Sequence, residues 1–274
     1  MHQGVPKEGY EDDDEFGSDD MDDDDEEEDD LLFGGGGRKR GSSTRRSRAK
    51  REKPFLSGKT VGADDPGIKL LRVASTSMTG TDILELMISL TETCLLEELD
   101  IASNHIGVDG VTLFVDFLEG KSSQRKNKKA IVMPKLNRIN VSDNNLGNDG
   151  IAKLTRAVSK RKQHMGLVDL HLSFNNVESL GTGTIMNKLL QHNLVSLSLD
   201  NNLIGDSGCQ LVAASLTSMH YLSRLNLSFN QIGCRGITSL MRALLGCETI
   251  TFLGLSGNVM KITGAIAMGF ALAH

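Results

Sequence analysis

Read from its C-terminal half, the chain alternates apolar and polar positions in a fixed comb. Leu194, Leu197, Leu199 and Asn202 are followed by Leu222, Leu225, Leu227 and Asn230, and then by Ile250, Leu253, Leu255 and Asn258. The spacing is L-x-x-L-x-L-x-x-N, with 28 residues from one Asn to the next. A period of that length signals a repeat architecture before any other fold. Upstream the comb recovers Leu167, Leu170, Leu172 and Asn175, then Leu136, Ile139, Val141 and Asn144, then Leu96, Leu99, Ile101 and Asn104. One further copy, Ile68, Leu71, Val73 and Thr76, has Thr in place of Asn, as an entry repeat can, because terminal repeats are usually atypical.

Within each copy, apolar residues two apart predict a short strand with one side facing the core. The Asn then turns the chain, since its amide can donate to and accept from backbone groups that a buried bend would strand. Asn104, Asn144, Asn175, Asn202, Asn230 and Asn258 are therefore expected to form a structural ladder. Gly107, Gly147, Gly205 and Gly233 follow the turn, and Gly110, Gly150, Gly208 and Gly236 come three residues later, where a helix begins against its neighbour. Helical spacing follows, as in Val111, Phe114, Val115 and Leu118.

The recurring apolar triplet, Asn and Gly pair resemble the ribonuclease-inhibitor type of leucine-rich repeat over about three quarters of the chain. The resemblance implies an α/β solenoid, a right-handed horseshoe with parallel strands on the concave face and helices outside. Residues 67–274 would hold about seven repeats, with the last one incomplete at His274. The Asn175 copy departs from the pattern, reading as if it lacks the Gly pair after Val177, which predicts a different strand-to-helix turn.

The rhythm fails in two places. From Asn104 to Asn144 is 40 residues and from Asn144 to Asn175 is 31, so the excess must loop out between helix and strand. Those segments carry Lys121, Arg125, Lys126, Lys128 and Lys129, and then Lys160, Arg161 and Lys162. Stacked repeats put equivalent loops side by side, which predicts a basic rim able to hold an acidic partner. The plainer reading is a set of solvating surface lysines.

Charge changes the picture at the other end. Residues 1–66 hold 11 Lys+Arg against 20 Asp+Glu, a net −9 that leaves +3 for the rest. Sixteen acids crowd the stretch from Glu11 to Asp30, which cannot bury itself and is expected to be disordered. After the Gly34–Gly37 linker the sign inverts with Arg38, Lys39, Arg40, Arg45, Arg46, Arg48, Lys50, Arg51 and Lys53. This block suits a nuclear localisation signal, a solvated linker or an arm for nucleic acid or histones. Met1 to Glu8 lacks the basic and then apolar regions of a secretory signal. Cys94, Cys209, Cys234 and Cys247 form no C-x-x-C pair or metal-ligand spacing. A nuclear or cytoplasmic chain, neither secreted nor membrane-bound, is the expectation, with no cofactor, metal or small-molecule substrate.

The side chains alternating with the leucines should line the concave face: Glu98, Asp100, Arg138, Asn140, Asp169, His171, Ser198, Asp200, Arg224, Asn226 and Phe252. Asp169, His171 and Ser198 invite comparison with a catalytic triad, but the Ser has no nucleophile elbow or oxyanion nest around it. The expected function is a non-enzymatic scaffold holding a protein partner on this face and the basic rim. Proteins similar to this repeat class include the Ran GTPase activators, which makes a GTPase regulator the alternative. A chromatin-associated scaffold is the third reading, from the acidic and basic blocks together.

Overall fold

The computed structural model describes residues 67–89, 95–119, 135–160, 166–190 and 192–273 of the 274-residue chain. The acidic and basic blocks of residues 1–66, the loop lysines and arginine from Lys121 to Lys129, and Arg161 and Lys162 lie outside the described residues, as does Cys94.

Seven three-residue strands alternate with seven helices. In chain order these are β1 (Leu70–Arg72), α1 (Gly80–Ser89), β2 (Glu98–Asp100), α2 (Gly107–Leu118), β3 (Arg138–Asn140), α3 (Gly147–Ser159), β4 (Asp169–His171), α4 (Ser179–Leu189), β5 (Ser196–Ser198), α5 (Gly205–Leu216), β6 (Arg224–Asn226), α6 (Cys234–Leu244), β7 (Phe252–Gly254) and α7 (Lys261–Leu272). The strands form one parallel sheet in sequence order. Among the described residues each helix packs only on the helix before and the helix after it.

The middle residue of each strand is apolar and faces the helices. Leu99, Ile139, Leu170, Leu197 and Leu225 are fully buried and share one core with Phe114, Phe117, Leu154, Ile185 and Leu240 from the helices. Each such leucine contributes roughly 1.5–3 kcal/mol by leaving water. The register follows from the comb: Leu71, Leu99, Ile139, Leu170, Leu197, Leu225 and Leu253 are successive partners. The Thr76 copy is thus a full member of the sheet, and Thr76 bonds through its hydroxyl to Val73 O at 2.8 Å.

The asparagine ladder is formed. Asn175 Nδ2 donates to Val141 O, Leu172 O and Ser173 O at 2.9, 3.2 and 3.1 Å, while its Oδ1 accepts from Asn144 N and Leu146 N. Asn202 repeats the pattern on Leu172 O, Leu199 O and Asp200 O, and on Asn175 N and Val177 N. Each side chain therefore stitches its own turn to the preceding unit. Asn144 departs from this, since its Nδ2 is bonded but its buried Oδ1 has no hydrogen-bond partner. It sits at the unit that follows the 40-residue interval.

Two expectations need correction. The helices α2, α3 and α5 begin at the first glycine of the pair, so the second lies inside the helix rather than at its start. Its role is close approach: a Cβ on Gly110 would meet Gly80 Cα at 2.5 Å and Ile106 Cγ2 at 2.7 Å. The Asn175 copy also keeps half of the pair. Gly181 stands at the second position, where a Cβ would fall 2.5 Å from Asn148 Oδ1. Only the first glycine is replaced, by Glu178, whose extended backbone moves the start of α4 to Ser179.

Candidate functional site

The residues on either side of each buried strand leucine point away from the helices and form two rows on the open face. The first row runs Leu70, Glu98, Arg138, Asp169, Ser196, Arg224, Phe252, and the second Arg72, Asp100, Asn140, His171, Ser198, Asn226, Gly254. The structure thus brings together every residue that the alternation places on this face except Asp200. Asp200 lies two residues past the end of β5 and reaches the face through its hydrogen bonds. Arg72 and Ser196 belong to the rows as well and are not on the sequence-derived list.

Cross-strand pairs fix the charged half. Arg72 Nη2 lies 3.1 Å from Glu98 Oε1, Arg138 Nη1 3.7 Å from Glu98 Oε2, and Arg138 Nε 2.8 Å from Asp169 Oδ2. The arginines are more than half exposed, so these pairs add little to stability and act mainly to hold the side chains in one arrangement. With Asp100, Ile139, Asn140 and His171 they line a shallow cavity of about 280 Å³.

The other half is built from neutral groups around one acid. Asp200 Oδ1 accepts from Ser173 Oγ at 2.6 Å, Ser198 Oγ at 2.9 Å and Asn226 Nδ2 at 2.9 Å, and Oδ2 accepts from Asn201 Nδ2 at 2.9 Å. Burial pushes its pKa up, but the donors Ser173, Ser198 and Asn201 outweigh it and hold the carboxyl below its ordinary 3.8. Next to it, the Arg224 guanidinium stacks on Phe252, 4.5 Å from the ring centre.

A pH dependence follows from Asp200. Its folded pKa is lowered, so the ionised form favours the fold; that contribution is fully present above the unfolded value and is lost as pH falls through the folded one. The difference in urea midpoint between the wild type and Asp200→Asn should therefore be constant near neutrality and shrink below about pH 4. A difference that stays flat down to pH 3 would contradict it.

Ser198 gives its proton to Asp200, and among the described residues no side-chain hydrogen bond joins Asp169, His171 and Ser198. His171 and Ser198 are register partners only. On the convex side Cys209 is fully buried, and burial, with Asp206 adding to it, pushes its thiol up to about 12. Of the basic rim only Lys160 is described, and its ammonium is paired with the Glu119 carboxylate. Among the described residues no helix is long and apolar enough to cross a membrane.

Seven parallel strands in one open sheet, backed by seven helices and stitched by an asparagine ladder, define the class: an α/β repeat solenoid. The family model described as "Leucine Rich repeat" matches residues 94–115, 132–154, 191–213 and 218–241. These four segments of the chain are thus leucine-rich repeats, and its fold is consistent with the ribonuclease-inhibitor type. Among curated proteins it is 25% identical over 227 residues to the Tonsoku-like protein of Bos taurus, covering 70% of this chain and 16% of that one. It is 28% identical over 135 residues to the NACHT, LRR and PYD domains-containing protein 5 of Homo sapiens, covering 48% and 11%. The chain thus spans less than a fifth of the length of either relative. Among solved structures, leiomodin-1 actin-binding site 2 aligns at 18% identity and a TM-score of 0.44, covering 51% of this chain and 80% of that one. Leucine-rich repeats generally mediate protein–protein interaction.

Proposed function

We propose that the chain is a non-enzymatic scaffold that holds a protein partner on the open face of its sheet. The observation that carries this reading is the arrangement of Arg72, Glu98, Arg138 and Asp169, whose alternating charges are paired with one another across four strands. A surface set in advance loses less freedom on binding than one that must order itself. Asn140, His171, Ser196 and Ser198 continue it as small or neutral groups along the neighbouring strands. The basic side chains from Lys121 to Lys129 and from Lys160 to Lys162 belong to this proposal as a flanking contact for acidic segments, and the block from Arg38 to Lys53 as a nuclear localisation signal.

The test uses the full chain as bait beside Arg138→Glu, which places like charges against both Glu98 and Asp169 but leaves the buried row untouched. Partners retained by the wild type should be depleted about tenfold or more on the variant, with an unchanged circular dichroism spectrum. Equal recovery on the two baits would sink the reading of this face as the binding surface.

A further inference from the structure

In every unit the residue just before the ladder position turns the chain with a left-handed backbone. Ser75, Ser103, Asp143, Phe174, Asn201, Phe229 and Gly257 have φ of 56°, 51°, 54°, 56°, 56°, 55° and 70°. Gly, Asn and Asp tolerate this region, Ser less readily; a bulky aromatic there is an outlier. Phe174 and Phe229 occupy it nevertheless, and neither recovers the strain by burial, since they remain 54% and 55% exposed. The ring of Phe229 rests on the next unit at Gly257, where a Cβ would fall 2.2 Å from Phe229 Cδ1. Phe174 thus keeps a strained backbone with more than half of its surface in solvent, which points to a role in contact with something else.

Between the two phenylalanines sits the acid already described. Phe174 N donates to Asp200 O at 3.1 Å and Asn201 N to Ser228 O at 2.9 Å, so Phe174, Asn201 and Phe229 are successive steps of one row. Phe174 stands one inter-strand spacing from Asn201, roughly 5 Å, within cation–π reach of a charge at Asp200, whereas the ring of Phe229 lies over Gly257 on the side away from it. Glu98 and Asp169 are each answered by an arginine. Among the described residues Asp200 is not: its four side-chain donors are neutral. A half-buried carboxylate held ionised by neutral dipoles, with an exposed aromatic residue on the neighbouring unit, is complementary to a positive side chain and repels phosphate. Among the described residues no cluster of acids joins it that would suit a metal ion.

We propose that units four to six receive a lysine or arginine side chain from a protein partner, with Asp200 as its counter-ion and Phe174 as the aromatic contact beside it. This rests on the reading of the open face as a protein-binding surface and specifies the chemistry of the segment bound.

The test selects random dodecapeptides displayed on phage against the immobilised full chain, then titrates the enriched peptides in solution. Enriched peptides should carry a Lys or Arg whose replacement by norleucine or citrulline lowers affinity about tenfold, and Asp200→Asn should lower it by a similar factor. The two losses should not add when combined. Phe174→Asn should weaken binding while raising Tm, because Asn prefers the left-handed turn, and Phe229→Asn, whose ring lies over Gly257, should leave binding unchanged; a purely structural role for the Phe174 ring predicts the opposite sign in Tm. These variants also guard against a folding defect in Asp200→Asn. Peptides without a basic preference, peptides indifferent to Asp200→Asn, or an absence of binders would each overturn the cation site. The broader scaffold reading falls on a different result, the indifference of captured partners to Arg138→Glu.

Discussion

Asn175→Ala is expected to destabilise the protein by about 3–5 kcal/mol, measured by urea unfolding. The side chain is fully buried and makes five hydrogen bonds, two received from Asn144 N and Leu146 N and three given to carbonyls. Alanine would leave two buried amide donors with nothing to bond, at about 1–3 kcal/mol each, besides the cavity. The ladder supplies its own control. Asn144 gives three bonds and receives none at Oδ1, so Asn144→Ala should orphan no backbone N–H and cost clearly less. Equal losses at the two positions would mean that accepting the two backbone N–H groups of the preceding unit is not what sets the cost, since Asn144 too donates to that unit at Ile101 O.

Gly110→Ala is the second large effect, with an expected loss of about 2–3 kcal/mol from overpacking. The added methyl would meet backbone, Gly80 Cα at 2.5 Å, as well as Ile106 Cγ2. Backbone cannot swing aside as a side-chain end can, so α1 and α2 would have to separate. Gly269→Ala in α7 should go the other way. Nothing lies within 4 Å of a Cβ there, and alanine in a helix interior is favoured over glycine by about 0.5–1 kcal/mol. Thermal unfolding of the two variants should therefore move in opposite directions; a common direction would refute the assignment of Gly110 to helix–helix approach.

The comb made the sheet legible because each of its positions answers a local need. Leu170 has to face the core and Asn175 has to bond the turn, so spacing alone predicts register and ladder, and the structure has both. What escaped was convergence between units. Asp200 is one residue in one copy, but its donors Ser173 and Asn226 come from the units on either side, and nothing in a 28-residue frame announces that three such groups meet. Phe174 and Phe229 stand in plain view before Asn175 and Asn230, yet their left-handed backbone is a property of the bend, not of the apolar spacing. Arg72 was hidden because Thr76 blurs the frame of its copy. Gly181 gives no pair signal in the sequence, because the first position of its pair holds Glu178.

Because among the described residues each unit leans only on the units beside it, a load applied between β1 and β7 passes through every junction in series. The protein is in this sense a chain of links rather than a knot. Pulled from its ends it would lengthen stepwise, an inner 28-residue link releasing roughly 90 Å of extended chain. A partner laid across β4, β5 and β6 would clamp three links together and leave the outer ones as the compliant part of the spring.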